Sequence, residues 1–350
     1  MRTWYSQMDG LRFIAITTVL IEHFAYGIGS LFHAGYFGVD LFFVISGFLI
    51  TEGLLINKEQ SMPKWKAIRH FYAKRFLRIF PIYYLVLSIS LLTYPPFHDI
   101  AAYAFTYTVN YYTAISGNSV PEVFGHLWSL SVEEQFYIFW PFIIIFIPGR
   151  KPVFGFILII MFASLTYFLV YRDFIMLQSR MFSLCFGALL AYLKLFHKEF
   201  YTTNIKAKFW TVVALAIVVY FMFNQVGISI FSLSLVYLGS NTAFTGVFKK
   251  LLEHKWSIYI GKISYGVYLY HLPLAAILGA YVFDPVWNNI DFSFLPPLKY
   301  NSWLIKLPLF YACTVGLAHL SYRFIESPIL KLKKRLKEEP TASATSTMAG

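Results

Sequence analysis

The strongest constraint on this chain is the recurrence, along nearly its whole length, of uncharged apolar runs long enough to cross a bilayer. A helix rises 1.5 Å per residue, so a hydrocarbon core about 30 Å thick needs roughly 20 apolar residues. Runs of about 17 to 25 such residues occur near 11–31, 37–56, 76–94, 98–115, 126–148, 153–171, 179–196, 209–224, 228–248, 257–282 and 304–326. With 58% hydrophobic and only 13% charged residues, the chain lacks the charged surface that would keep so much apolar area in water. The expected fold is all-α, a polytopic membrane helix bundle. The first run contains Glu22 and His23 and no small-residue cleavage site follows it, so it does not read as a signal peptide.

Charge placement decides how many runs cross. Lys58, Lys64, Lys66, Arg69, Lys74, Arg75 and Arg78 crowd one stretch, which the positive-inside rule puts in the cytoplasm, together with the N-terminus two spans earlier. The weakest run, 98–115, carries Asp99 and Asn110. If it crosses, the basic positions Arg150, Lys151, Lys198, Lys206, Lys208, Lys249, Lys250 and the basic tail all fall outside. If it re-enters or lies in the outer interface, all fall inside. The expectation is therefore about ten transmembrane helices with cytoplasmic N- and C-termini.

The same reasoning disposes of the formal charge of +12. Its Lys and Arg residues sit in short loops and the tail, which suits membrane lipids with anionic headgroups and gives no support to a nucleic acid partner. Cys185 and Cys313 lie within apolar runs without metal-type spacing, so no metal is expected, and they say nothing about disulfides or compartment and read as packing residues. Residues 1–330 read as one membrane domain. Residues 331–350 read as a basic cytoplasmic tail, disordered past Pro340.

Ionisable residues inside membrane segments are costly and mark functional interiors or helix-holding pairs. Arg12 and His23 are eleven residues apart, returning to within about 20° of one face and separated by roughly 16 Å. They fit an anion contact and a general base, and equally a snorkelling arginine and a core histidine. Glu22 is about 100° round the helix from His23 and is a weaker partner. Lys74, Arg75 and Arg78 fit a phosphate fork, although by spacing alone lipid-headgroup binding is the commoner use. Asp40 can orient a histidine, bind a hydroxyl, or cap a helix. Glu133 and Glu134 are adjacent carboxylates that apolar burial alone does not explain, so at least one should face a polar cavity. Arg180 is placed to neutralise one of them. Ser264, Tyr268 and His271 share a stripe with Tyr265 beside it, serving hydrogen bonding or, for His271, catalysis. Arg323 and Glu326, at i and i+3, read as a structural ion pair. Walker, GxGxxG, HExxH, CxxC and GxSxG patterns do not occur, which leaves nucleotide hydrolysis, dinucleotide redox, zinc hydrolysis and an ordinary serine-hydrolase elbow unsupported.

Six ordered blocks, MDGLRFIAITTVLIEH, GYFGVDLFFVISGFLIT, FYAKRFLRIFP, HLWSLSVEEQFYIFWP, ISYGVYLYH and SYRFIESP, strongly resemble the acyltransferase-3 family of bacterial integral membrane O-acyltransferases, from about residue 8 to 330. The resemblance implies a multi-pass protein of the bacterial inner membrane. It also implies O-acyl, most often O-acetyl, transfer from cytoplasmic acyl-CoA, most often acetyl-CoA, to a sugar hydroxyl of a cell-surface polysaccharide, glycolipid or related glycan. Carried over by motif, Arg12 and His23 form an essential pair with His23 as base or acyl carrier, and Arg75 and Arg78, with Lys74 beside them, hold the donor's phosphates. Glu133, Glu134 and Asp40 are the further catalytic candidates, with Glu133 or Glu134 stabilising the imidazolium. Arg180, Tyr265, Tyr268 and His271 are the substrate-binding candidates. Many relatives carry an extra hydrolase-like domain that this sequence lacks, so either it acylates the acceptor directly or a separate extracytoplasmic transferase finishes the step. A secondary transporter or flippase with a His and Glu proton relay is the rival reading, and it calls for inverted repeats that the sequence does not show.

Overall fold

The computed structural model describes residues 5–25, 29, 33–116, 120–291 and 301–335, and among these there are helices and turns but no strand. The long helices are α1 (Ser6–Phe24), α2 (Ala34–Glu59) and α3 (Lys64–Thr93). Two short helices follow, α4 (Ala101–Phe105) and α5 (Val109–Ser116). Then come α6 (Leu127–Phe146), α7 (Arg150–Tyr171), α8 (Leu177–Phe196), the short α9 (Lys198–Thr202), α10 (Ile205–Met222) and α11 (Asn224–Ser240). The last part holds α12 (Gly246–Leu252), α13 (Lys255–Leu278), α14 (Asp284–Trp287), α15 (Trp303–Ser321) and α16 (Ser327–Arg335). Turns of the wider π type join α13 to α14 and α15 to α16.

By length and apolarity, seven segments among the described residues suffice to cross a membrane: α2, α3, α7, α8, α10, Lys255–Trp287 and Trp303–Lys331. Helices α1 and α6, of 19 and 20 residues, are as long as the shorter of these, and α11 with 17 falls just short; all three carry many of the polar side chains. The chain arranges them from the inside outward. Helix α2 is the hub, packed on α1, α8, α11 and α6, and 72% of its most apolar stretch is buried. Helix α10 packs almost entirely on α11 and buries only 11% of its corresponding stretch. A helix that is apolar all round and so little covered by protein has lipid as its natural solvent.

The hub relies on glycine. Gly47 of α2 lies against the Leu184 carbonyl of α8, and Gly187 of α8 lies against the Val44 carbonyl of α2. Each leaves no room for a Cβ, so the two backbones approach as closely as small residues permit. Gly187→Leu is expected to destabilise the bundle by about 1–3 kcal/mol or more through forced backbone shifts. It should appear as a lower midpoint of thermal unfolding in detergent, whereas Gly155→Leu, where a Cβ meets open space, should leave the midpoint unchanged.

Segment boundaries differ from the apolar runs for identifiable reasons. The run at 76–94 is only part of α3, whose basic first turns extend to Lys64, because a helix continues past the point where its residues stop being apolar. The run at 228–248 ends at Ser240, and α12 is a separate helix. The end of the run at 11–31 falls largely outside the described residues, as does the tail from 336 onward. The stretch 98–115 forms no spanning helix: α4 and α5 are separated at Tyr107, whose φ is 53°. Gln135 of α6 donates to the Tyr107 carbonyl at 2.7 Å and to Asn110 Oδ1 at 2.9 Å. The buried amides thus satisfy one another, and the broken segment is tied to α6.

The basic loops gather at one end of the bundle. Lys58 donates to the carbonyls of Ile144 and Ile147, which end α6, and Arg150 pairs with Glu59. Lys194 donates to the Ser240 carbonyl and lies 4.2 Å from the Tyr5 ring. Tyr5 donates to Glu52 at 2.6 Å, and Gln7 donates to Glu253 at 2.9 Å. Tyr5 and Gln7, the end of α2, the start of α7, the end of α8 and the α12–α13 junction therefore share one face.

Candidate active site

Four helices bring their polar stripes around one interior cavity. Helix α1 contributes Arg12, and α3 contributes Arg75 and Arg78 at i and i+3. Helix α6 contributes Ser129, Glu133 and Tyr137 at i, i+4 and i+8, and α13 contributes Ser264, Tyr265 and Tyr268, while α2 supplies Ser46 and the apolar wall of Val39, Phe42 and Phe43. The 3.6-residue period puts Arg75 with Arg78, and Ser129 with Glu133 and Tyr137, on shared helix faces turned to the cavity.

One end is cationic. Arg12 is bonded to Asp9 at 2.9 Å. Arg75 rests 4.9 Å from the Tyr137 ring, and neither Arg75 nor Arg78 has an ion-pair partner among the described residues. Both are half-buried, with Glu133 within electrostatic reach of Arg75 and Glu326 within reach of Arg78, and guanidiniums grouped in this way are chemically suited to a multiply charged anion. Midway, Glu133 accepts a hydrogen bond from Ser46 at 2.7 Å, and Tyr137 donates to Ser46 at 3.3 Å.

A histidine cluster lies behind the Tyr268 wall, outside the cavity lining. Tyr268 and Ser129 hydroxyls are 2.6 Å apart at the cavity wall. Beyond them, the His271 ring centroid is 4.9 Å from that of His23 and 4.9 Å from that of His126. His23 is exposed while His126 and His271 are buried. His23 Nδ1 lies 3.0 Å from the Val19 carbonyl and His271 Nδ1 lies 2.5 Å from the Tyr268 carbonyl. A carbonyl oxygen only accepts, so both Nδ1 atoms carry the proton when neutral and both Nε2 atoms present a lone pair. His23 Nε2 is thus a base at the mouth of the cluster. Among the described residues no group of three or more His, Cys, Asp or Glu has an arrangement that could hold a metal ion.

Of the positions singled out in the sequence, Arg12, Arg75, Arg78, Glu133, Tyr265 and Tyr268 line the cavity, whereas His23 and His271 are outside its lining, with His271 behind Tyr268 and His23 beside His271. Lys74, next to Arg75 and so turned about 100° away, is not part of the lining. Glu134 is buried off the cavity, within electrostatic reach of Tyr83 and Tyr107. Arg180 does not neutralise Glu133 or Glu134. It pairs with Asp40 at 2.5 Å, both wholly buried, in a network completed by Ser183, Ser229 and Gln225. That network holds α2, α8 and α11 together, and neither charge reaches the cavity wall. The carboxylates within electrostatic reach of His23 are Glu22 and Glu122 rather than Glu133 or Glu134, and Glu22 accepts from the Gly35 backbone at 3.2 Å. Arg323 and Glu326 do not pair either. The π turn rotates Glu326 inward towards Gly266 and Arg78, and Arg323 stays outside over the Phe324 ring.

His126, one of the polar residues that open the HLWSLSVEEQFYIFWP block, has no role assigned from the sequence, and the structure places it in the histidine cluster. It stands just before α6 in the block HLWSLS, where a polar residue reads as a helix boundary. Nothing local announces that α13, some 140 positions later, brings His271 against it.

A family model described as an acyltransferase domain matches residues 5–323. Over 94% of its length the chain is 27% identical to the peptidoglycan O-acetyltransferase OatA of Listeria monocytogenes, and over 93% it is 28% identical to the O-acetyltransferase OatA of Staphylococcus aureus. It spans 56% and 57% of these relatives, a little more than half their length. No solved structure matches the chain.

Proposed function

Because the chain belongs to the acyltransferase-3 family, we propose that it transfers an acyl group, most simply acetyl, from acyl-CoA through the membrane to a sugar hydroxyl of a cell-envelope glycan. The observation that carries this reading is the cavity lined by Arg12, Arg75 and Arg78, whose Tyr268 wall backs onto the histidine cluster with its exposed His23. The two listeria and staphylococcal relatives are named as O-acetyltransferases, and the first is named for peptidoglycan, which makes an amino-sugar polymer the favoured acceptor.

In this reading residues 1–330 form the catalytic unit. Seven long apolar helices together with the polar α1, α6 and α11 make ten spans. The basic end with both termini faces the cytoplasm of a bacterial inner membrane, in keeping with the positive-inside rule.

Arg75 and Arg78, with Arg12, hold the phosphates of coenzyme A by charge-assisted hydrogen bonds. Arg12 and His23 are roughly 16 Å apart along α1, comparable to an extended pantetheine arm, so a thioester anchored at the arginines reaches the histidine end. His23 Nε2 takes the proton of the acceptor hydroxyl as its oxygen attacks the thioester carbonyl. Glu133, held by Ser46, fixes the middle of the channel, and Tyr265 and Tyr268 offer hydroxyls to the substrate. Lys74, Glu134, Asp40 and Arg180 have supporting places outside the channel.

The test is transfer of label from radiolabelled acetyl-CoA to glycan in membrane vesicles carrying the protein or its His23→Ala variant at matched expression. Label in the glycan that requires His23 is the expected outcome. Label that is equal in both, or absent from the wild type with any short acyl-CoA, overturns the proposal.

A further inference from the structure

Arg75 is held in the cavity by aromatic rings rather than by a carboxylate. Its guanidinium lies over the Tyr137 ring, 4.9 Å from the centroid, and 5.8 Å from the ring of Phe71, one turn earlier on α3. Among the described residues no hydrogen bond or ion pair occupies its N–H groups. Tyr137 is buried, and its hydroxyl donates to Ser46 at 3.3 Å, which ties the ring to α2. Ser46 donates in turn at 2.7 Å to Glu133, which stands one turn before Tyr137 on α6. Glu133 is within electrostatic reach of Arg75, yet no ion pair joins them. The difference decides what Arg75 can bind. A carboxylate takes up a guanidinium's N–H donors, whereas an aromatic face attracts the cation through its quadrupole and has no acceptor atom to occupy them. Arg75 is therefore fixed in the cavity lining with its donors open.

We propose that Tyr137 is the positioning residue of Arg75: its ring, anchored through Ser46, fixes the guanidinium so that the open N–H donors meet a phosphate of the acyl donor. The inference rests on the acyl-CoA reading and adds to it how the phosphate site is kept both assembled and free. An arginine that a ligand must immobilise gives up rotamer freedom on binding, and a neighbour that has already fixed the side chain removes that cost. Tyr137 therefore acts on donor affinity and not on the chemical step, which belongs to His23. It acts through Arg75, so its effect exists only while that guanidinium is present.

The experiment is a double-substitution cycle on purified full-length protein, read by coenzyme A titration and by saturation kinetics with acetyl-CoA and soluble peptidoglycan fragments. Tyr137→Leu is expected to raise the Kd of coenzyme A by about 5- to 30-fold, the range for loss of a desolvated cation–π contact, with kcat within about threefold. Tyr137→Phe keeps the ring and is expected to bind within about threefold of the wild type. In an Arg75→Ala background Tyr137→Leu should add less than about twofold, because the ring then has no guanidinium to hold. A tyrosine that serves packing alone would weaken binding by the same factor with or without Arg75, which overturns the proposal. It is overturned equally by a leucine variant that binds as the wild type does, by a loss confined to kcat, or by a phenylalanine variant that loses as much as the leucine one. Thermal midpoints report folding, and Tyr137→Met replaces the leucine variant if that one unfolds. A wild type that binds no coenzyme A overturns the acyl-CoA reading itself, whereas failure of the positioning role alone leaves wild-type binding intact.

Discussion

Replacing His23 and replacing Arg78 are expected to damage the protein in opposite ways. His23→Ala should lower kcat with acetyl-CoA by about 10²- to 10⁴-fold, the range for loss of a positioned general base, with coenzyme A affinity within about twofold. Arg78→Ala should weaken coenzyme A binding by roughly 10- to 100-fold, corresponding to about 1.5–3 kcal/mol for a charge-assisted contact, with a smaller effect on kcat at saturating donor. The split follows from the separation of the guanidiniums, which line the cavity, from the His23 imidazole, which lies outside that lining, so each substitution removes one interaction and spares the other. Binding titration and saturation kinetics on the same two purified variants check it. A His23→Ala variant that turned over normally, or an Arg78→Ala variant that bound coenzyme A as the wild type does, would show that the cavity is not the donor channel.

The second large effect concerns stability. Asp40→Ala leaves Arg180 charged, wholly buried and without its carboxylate, and breaking such a pair costs about 3–5 kcal/mol. Asp40→Ala should therefore unfold at a markedly lower temperature in detergent or fail to accumulate in membranes. The paired change Asp40→Leu with Arg180→Met removes both charges together, and a buried pair replaced by apolar residues of similar volume is often neutral in stability or better. The double variant is expected to regain most of the lost stability and, because neither side chain lines the cavity, to retain acyl transfer. A double variant as stable as the wild type but inactive would return Asp40 to the reacting centre.

These two predictions also divide what could be read from the sequence from what could not. Arg12, His23, Arg75 and Arg78 were legible because each pair lies on one helix, where a spacing of eleven or three residues fixes the shared face through the helical period alone. Tyr268 and His271 were legible for the same reason. Asp40 and Arg180 were recognised as costly intramembrane charges, yet their partners were misassigned. A charge 140 positions away is as near in space as one nearby in sequence once α2 and α8 touch through Gly47 and Gly187. Glu133 and Glu134 illustrate the finer limit: adjacent residues diverge by about 100°, and only the position of α13 and α2 decides that the first meets the cavity. His126 has no role assigned from the sequence because its significance resides wholly in a contact with another helix.

By itself the sequence determined the all-helical membrane class, from uncharged runs of spanning length, and the one-sided placement of its basic loops, because lipid penalises every exposed charge and backbone dipole along the chain. It also determined which residues share a helix face. The tertiary structure alone decided which faces meet. It broke 98–115 at Tyr107, joined Asp40 to Arg180, turned Glu326 inward and gathered His23, His271 and His126 into one row. The physical reason is that helical periodicity is a local property fixed by backbone hydrogen bonds, whereas contacts between helices depend on close fit of surfaces far apart in the chain. Its glycines mark where helices can approach closely but do not name the partner.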